Sequence, residues 1–161
     1  MGQQIKFELK DNSKEVSKKL RKAMVAFLHE AIGEIEASVA RLSRVDTGKT
    51  KGSWKTVVNE AKFEAIIGTN DENAIWEEFG TGEHALKGDG RKTPWYVPVD
   101  TYHGKKKPTF NGKVVVVTGK SGKKFYKTNG KQPNRTLQRA YEKKKAAIIR
   151  RAGQLGAEMK E

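Results

Sequence analysis

The sequence contains no cysteine, and this absence excludes two classes of site. Disulfide-stapled domains and thiolate metal centres both need cysteine, so a reducing compartment fits the composition. Long apolar runs are absent too, since no stretch approaches the roughly 18 consecutive apolar residues of a membrane-spanning helix. The first residues, Met1 to Lys6, lack the apolar run of a signal peptide. We therefore expect a protein that is made in a cytoplasm and has no membrane partner.

Apolar residues are scarce throughout the chain. They make up 35% of the 161 residues, whereas 32% are charged, and there are 16 glycines. The length fits one domain, but this composition gives that domain a thin core. We therefore expect residues 1–161 to form a single domain in which some segments gain their order against a partner.

Charge is unevenly distributed along the chain, which carries a net charge of +14. Between Asn59 and Asp89 there are eight acids and two lysines, whereas between His103 and Lys131 there are nine lysines and no acid. Such segments can meet head-to-tail between copies of one chain. The residues predicted to contact a partner are Lys105, Lys106, Lys107, Lys123, Lys124, Glu77 and Glu78. The alternative is that the lysines form an ordinary solvated surface.

A helical pattern dominates the N-terminal third of the chain. Residues 5–9 alternate between apolar and polar, which predicts a short strand before the helix. Asn12 followed by Glu15 predicts a helix start in which the two residues cap each other. Apolar residues then recur at helical spacing as far as Leu42, enough for a helix of about 45 Å. We expect this helix to cover a sheet with Leu20, Phe27, Leu28, Ile35 and Val39, above Trp54, Ile66 and Phe79.

The remaining pattern predicts short strands followed by a second long helix. Predicted strands cover Ser53–Asn59, Phe63–Gly68, Trp95–Val99, Val114–Thr118 and Lys124–Thr128, with Pro94 and Pro98 marking an edge strand. Ala74–Phe79 is predicted to be helical or irregular, and Glu83–Lys92 a flexible loop. Pro133 is expected to open the last helix, whose inner face would carry Leu137, Ala140, Tyr141, Ile148 and Leu155.

Together these elements predict an α+β fold. A small antiparallel sheet would be covered by the long N-terminal helix and a C-terminal helix, with an extended β-hairpin and loop insertion. Residues 83–131 form this insertion, which we call the arm because it carries the basic segment.

The sequence offers no catalytic pattern. Gly48-Lys49-Thr50 resembles the end of a phosphate-binding loop, but position 43 is Ser43 where that loop needs glycine. His29-Glu30 begins a zinc-protease pattern, yet Gly33 stands where the second histidine ligand belongs. Glu77 and Glu78 are adjacent and therefore point apart, so they are unsuited to flanking one substrate bond. We expect no enzyme activity, no cofactor and no metal.

Four stretches of the sequence resemble one known pattern. Val45-Asp46-Thr47-Gly48 with Gly52-Ser53-Trp54 is similar to "D-T-G-x-L-x-x-S". Ile66-Ile67-Gly68-Thr69 with Ala74-Ile75-Trp76-Glu77-Glu78-Phe79-Gly80-Thr81 is similar to "v-G-s … Y-A-x-x-v-E-F-G-T". Pro94-Trp95-Tyr96-Val97 and Thr128-Asn129-Gly130-Lys131-Gln132-Pro133, then Leu137 and Ala140, complete the pattern. Together they resemble the phage tail-component family, whose members are tail-completion, tail-terminator or head–tail joining proteins.

The resemblance implies a structural role in the virion. Members are expected to form a homo-oligomeric ring, here hexameric, that binds the tail tube protein and neck or connector proteins at the head–tail junction. DNA would pass through its centre, and assembly would take place in the host cytoplasm. The motif residues Asp46, Gly48, Phe79, Gly80 and Pro133 would serve the scaffold. Gly48 and Gly80 would hold backbone angles closed to other residues, and Phe79 would anchor a packed corner.

A second interpretation competes with this one. The pI is near 9.9, and the segment 103–131 interleaves its lysines with aromatic residues. This combination favours a DNA-binding protein that acts through the arm. Salt-dependent DNA binding by the monomer would favour this interpretation, whereas a concentration-dependent ring would favour the first.

Overall fold

The computed structural model describes residues 12–44 and 48–158. In chain order its elements are α1 (Ser13–Leu42), α2 (Lys49–Gly52), β1 (Trp54–Asn59), β2 (Glu64–Thr69), α3 (Glu72–Phe79), a 3₁₀ turn (Gly82–His84), β3 (Trp95–Pro98), β4 (Val115–Thr118), β5 (Lys124–Thr128) and α4 (Thr136–Glu158). The α+β class is confirmed. The strand predicted at Ile5, Phe7 and Leu9, and the turn residue Asp46, lie outside the described residues.

The long first helix forms as predicted, with 30 residues in α1. Its predicted capping box is wrong, because the Asn12 side chain makes no cap hydrogen bond. Asn12 has φ −104° and ψ 12°, not the extended conformation that aims an N-cap side chain at the helix amides. Its backbone carbonyl instead accepts the Val16 N–H at 3.0 Å, and the first turn forms without the cap.

α1 lies across an antiparallel hairpin of β1 and β2, in which Trp54 pairs with Thr69 and Asn59 with Glu64. Because side chains alternate along a strand, one face of this hairpin is turned towards α1 and the other away. The buried cluster comprises Val39, Trp54, Ala74 and Ala140, with Ile35, Leu42, Ile67 and Leu137 packed around it.

Three residues expected in this layer are exposed instead. Leu20 is 43% exposed, Ile66 is 61% exposed and Phe79 is 44% exposed. Ile66 neighbours the partly buried Ile67 and therefore points to the opposite face of the hairpin. Phe27 is partly buried and lines a groove with Ala147 and Ile148 of α4.

The second long helix, α4, packs chiefly along α1 rather than on a sheet. Lys144 pairs with Glu34 at 2.5 Å and Arg151 with Glu30 at 3.6 Å, so the two helices run antiparallel. Lys144 lowers the pKa of the Glu34 carboxyl, first by its hydrogen bond and then by its charge. Leu137 and Ala140 lie on the inner face as predicted, but Tyr141 is 48% exposed.

Pro133 does not open α4, which begins at Thr136. Arg135 has a positive φ of 50°, which interrupts any right-handed helix before Thr136. The N–H groups of Asn134 and Arg135 both donate to the Glu77 carbonyl oxygen, at 2.5 Å and 3.3 Å. This contact across the chain fixes the approach to the helix.

The arm contains its own three-stranded antiparallel sheet, in the order β3-β5-β4. The predicted β4–β5 hairpin is confirmed, and its turn closes with a 2.8 Å hydrogen bond from the Gly119 N–H to the Lys123 carbonyl. β3 is an edge strand, as Pro94 and Pro98 predicted. The strands thus form two sheets instead of one, because β3, β4 and β5 pair only with each other within the described residues.

Candidate functional site: the base of the arm

Two distant segments of the chain meet where the arm leaves and rejoins the body, and we call this place the junction (Glu77–Glu83 with Asn129–Leu137). The Thr81 N–H donates to the Lys131 carbonyl at 3.0 Å, and the Glu83 N–H to the Asn129 carbonyl at 3.0 Å. The Lys131 N–H donates a 3.0 Å hydrogen bond to Thr81 Oγ1. These three hydrogen bonds, two between backbone groups and one to a side chain, hold the two segments together at the base of the arm.

Two glycines allow the segments to come this close. Gly80 has φ +74°, and a Cβ there would lie 2.6 Å from the His84 carbonyl oxygen and 2.9 Å from Pro133 Cδ. Gly130 has φ +118°, and a Cβ would lie 2.0 Å from the Thr81 carbonyl oxygen. The predicted positive backbone angles are therefore confirmed at Gly80 and also at Gly48, where φ is +85°.

Glu78 caps α4 from a distant part of the chain. Its carboxylate accepts the Leu137 N–H at 2.8 Å and the Gln138 N–H at 3.1 Å. These are among the first amides of the helix, which have no partner within the helix itself. A negative charge at this end also interacts favourably with the helix dipole. The sequence did not predict this role, because Glu78 lies 59 positions before Leu137 and 60 before Gln138, and no local motif joins them.

Glu77, the first residue of the junction, is buried and paired with two cationic side chains. It is 7% exposed, with Lys131 Nζ at Oε1 and Arg44 Nη1 3.4 Å from Oε2. The second contact is electrostatic, because Oε2 has no hydrogen-bond partner. Arg44 also donates to the Gln132 carbonyl at 3.0 Å, so the residues after α1 are tied to the same point.

The prediction that Glu77 and Glu78 contact a partner is corrected by these intrachain bonds. Both carboxylates are engaged within the chain, one as a buried ion pair and the other as a helix cap. The expected packed corner at Phe79 is also absent, since the exposed ring has Lys87 Nζ 5.5 Å from its centre. Pro133 packs against Gly80, ahead of α4 rather than within it.

The five predicted contact lysines are exposed, and they fall into two segments of the arm. Lys105, Lys106 and Lys107 belong to the loop between β3 and β4. Lys123 precedes β5, and Lys124 is the first residue of that strand. The contacts that were predicted for them with a neighbouring copy stay predictions.

A basic cleft of about 830 Å³ opens beside the junction. Its lining includes four cationic side chains, those of Arg44, Lys106, Lys107 and Lys131, against the single carboxylate of Glu77. Tyr102 forms part of its wall, with its ring edge-to-face against Tyr126 at 5.6 Å between centres. The excess of positive charge suits an anionic group.

Residues 12–44 and 48–158 hold no cluster of histidine and acidic side chains that could bind a metal ion. Their helices include none that is both long enough and apolar enough to cross a membrane.

Comparison with protein-family models, with curated proteins and with solved structures finds no match to this chain. The case for a function therefore rests on the chain's own residues and their geometry.

Proposed function

We propose that this chain is a ring-forming structural protein at the head–tail junction of a long-tailed bacteriophage, either a tail-completion and terminator subunit or a neighbouring connector. One observation carries the proposal. The segments 78–81 and 128–133, which hold much of the resemblance to the phage tail-component family, meet at the junction and fix the arm to the body. Motifs that are separated in sequence but joined in space support a shared scaffold.

The surface of the chain also fits an assembling protein. Large apolar side chains are exposed on three elements: Val57 and Ile66 on the β1–β2 hairpin, Ile75 and Trp76 on α3, and Ile149 on α4. Few buried apolar residues remain inside, so the chain exposes much of its limited apolar content. Where such side chains form a contiguous patch, the patch marks a site of contact with another protein.

The proposal implies a set of partners and a location. Copies of the chain would form a homo-oligomeric ring, expected to be hexameric, with the tail tube protein on one face and neck proteins on the other. DNA would pass through the lumen, where basic side chains would face its phosphates. No enzymatic step, cofactor or membrane is part of this role.

Electron microscopy of infected-cell lysates tests the role directly. In a phage that encodes this chain, deletion of the gene should leave DNA packaging intact and block joining. Filled heads and separate tails, some of abnormal length, should accumulate, because an uncapped tube stays open to further addition or fails to dock. Supplying the gene from a plasmid should restore joined virions. Normal virions in the deletion would contradict the proposal, and unfilled heads would indicate a packaging role.

DNA binding through residues 103–131 is the second candidate. It is favoured by the lysines of the arm at positions 106, 107, 120, 123 and 124, which are exposed and have no acidic partner within the described residues. Affinity of the monomer for short duplex DNA would fall steeply with salt in this case, because each phosphate contact releases counterions. Tight, salt-sensitive binding by a chain that never assembles would favour this candidate over the ring.

A further inference from the structure

The outer edge of β4 is unpaired within the described part of the chain. β4 directly follows Val114, so four valines in a row lead to Thr118. β5 pairs with one side of the strand, and no described strand pairs with the other. Val114 and Val116 are 50% and 49% exposed. An apolar, β-branched edge with open backbone groups is a template for pairing with another chain.

The opposite edge of the same sheet is protected. Pro98 lies within β3 and Pro94 directly before it. Proline has no N–H to offer, so it prevents continuous pairing along an edge. Among the described residues, this sheet therefore has one edge protected by proline and one edge that no strand pairs with. This asymmetry indicates that the β4 edge has a use, because an unused apolar edge carries a risk of aggregation.

We propose that β4 pairs, in the assembled protein, with β2 of a second copy of this chain. The inference rests on the proposed ring, in which each contact joins two different surfaces of the subunit. The β1–β2 hairpin supplies the second surface, because its sheet has two strands within residues 12–44 and 48–158 and α1 covers one of its faces. The contact would extend the three-stranded sheet of one copy with the two-stranded sheet of the next. Sheets this small gain stability from added strands.

Charge and apolar surface select β2 over β1 as the partner strand. β2 carries Glu64 and no lysine, whereas β1 carries Lys55 and no acid. β4 is flanked by Lys113 and Lys120, which are both exposed. In either strand direction, Glu64 at the end of β2 comes beside one of these lysines. Ile66, near the centre of β2, is 61% exposed and would pack beside the valines of β4.

Cysteine pairs test this contact, since the natural chain has no cysteine to interfere. Two full-length single-site variants, Val116→Cys in β4 and Ile66→Cys in β2, are mixed, allowed to assemble and treated with a short thiol-reactive crosslinker. A crosslinked heterodimer is expected, because each variant supplies one side of the contact. The matched control mixes Val116→Cys with Val57→Cys, which lies on β1 and is 64% exposed. That control is expected to crosslink at least fivefold less.

Several outcomes would overturn the proposal. Homodimers of Val116→Cys alone would indicate symmetric β4–β4 pairing, and equal crosslinking in the control would indicate unspecific apolar contact. A chain that shows no self-association at any concentration would exclude the pairing as well.

The same samples separate this inference from the proposed function. Rings seen by electron microscopy without the β2–β4 crosslink would leave the ring proposal standing and remove the strand pairing. The variant Val116→Lys should also weaken assembly at least tenfold, whereas Val16→Lys, on α1 where Val16 is 53% exposed, should leave it within about twofold of the unmodified chain. Both positions are exposed, so neither change is expected to unfold the monomer.

Discussion

At the level of single residues, the junction is held by groups that leave no space for substitution. Gly80 and Gly130 lie against backbone atoms of the opposing segment, and Glu78 satisfies amides of a helix that begins far along the chain. These residues act through close approach and hydrogen bonding. Changes at them should therefore affect folding before they affect any partner.

Gly80→Ala is expected to lower the free energy of unfolding by about 3 kcal/mol or more. A positive φ costs a non-glycine residue about 1 kcal/mol, and overlap with the His84 carbonyl and Pro133 adds to this. Gly88→Ala is the matched control, because Gly88 has φ +71° but nothing within 4 Å of the added Cβ. It should cost about 1 kcal/mol or less. Urea unfolding measures both, and equal losses would show that the close contacts at Gly80 are unimportant.

At the level of elements, α1 connects the hairpin and α4 into one body. Its helical period places Val39 in the buried cluster between the hairpin and α4, and Val39 is 0% exposed. Val16, six turns nearer the start of the same helix, is 53% exposed. The helix thus contributes to stability mainly through its C-terminal half, where both neighbours pack on it.

A comparison of two valines tests this division of α1. Val39→Ala should lower the free energy of unfolding by about 1–3 kcal/mol, because it removes two buried methyl groups and leaves a void. Val16→Ala should change it by less than about 0.5 kcal/mol, since alanine also has the higher helix propensity. The two variants make the same change on one helix, so the midpoints of their denaturant unfolding curves compare directly. A larger loss at Val16 would mean that the start of α1 is the packed part.

At the level of the whole molecule, the acidic segment divides into engaged and exposed carboxylates. Asp71 bonds to Thr50, Glu77 and Glu78 serve the junction, and Glu83 accepts from Asn129. Glu83 is nevertheless exposed, and the acids that are exposed and whose carboxylates have no partner within the described residues are Glu60, Glu64, Glu72 and Asp89. A contact with the basic arm of a neighbouring copy would therefore involve these acids instead of Glu77 and Glu78.

Replacing Lys105, Lys106 and Lys107 together by glutamate should weaken self-association about tenfold at low salt. Each exposed pair contributes only about 0–1 kcal/mol, so a single change would be hard to detect. The control replaces Lys14, Lys18 and Lys22 on α1, which are also exposed, and changes the net charge equally. Sedimentation at several salt concentrations measures the effect, which should fade as salt rises. Equal weakening by both triple variants would point to net charge alone.

The sequence by itself determined the long first helix and the strands, because these depend on local pattern, whereas it did not predict α2. Helical spacing fixed α1, alternation and turn residues fixed the two hairpins, and prolines marked β3 as an edge. The positive backbone angles of Gly48 and Gly80 followed from the same local reading. The ring and its partners stay predictions, since they depend on the resemblance and on the way its motifs meet at the junction.

Only the tertiary structure decided how the elements use their side chains. The remote cap by Glu78, the burial of Glu77 and the start of α4 at Thr136 all depend on contacts between segments more than 50 positions apart. No local pattern encodes such contacts. The sequence around a glutamate beside a glycine turn is the same whether its carboxylate faces solvent or caps a helix. Ile66 and Phe79 were misplaced for a related reason. Hydrophobicity predicts that a residue tends to be buried, but only the packing of neighbouring elements determines which face is covered.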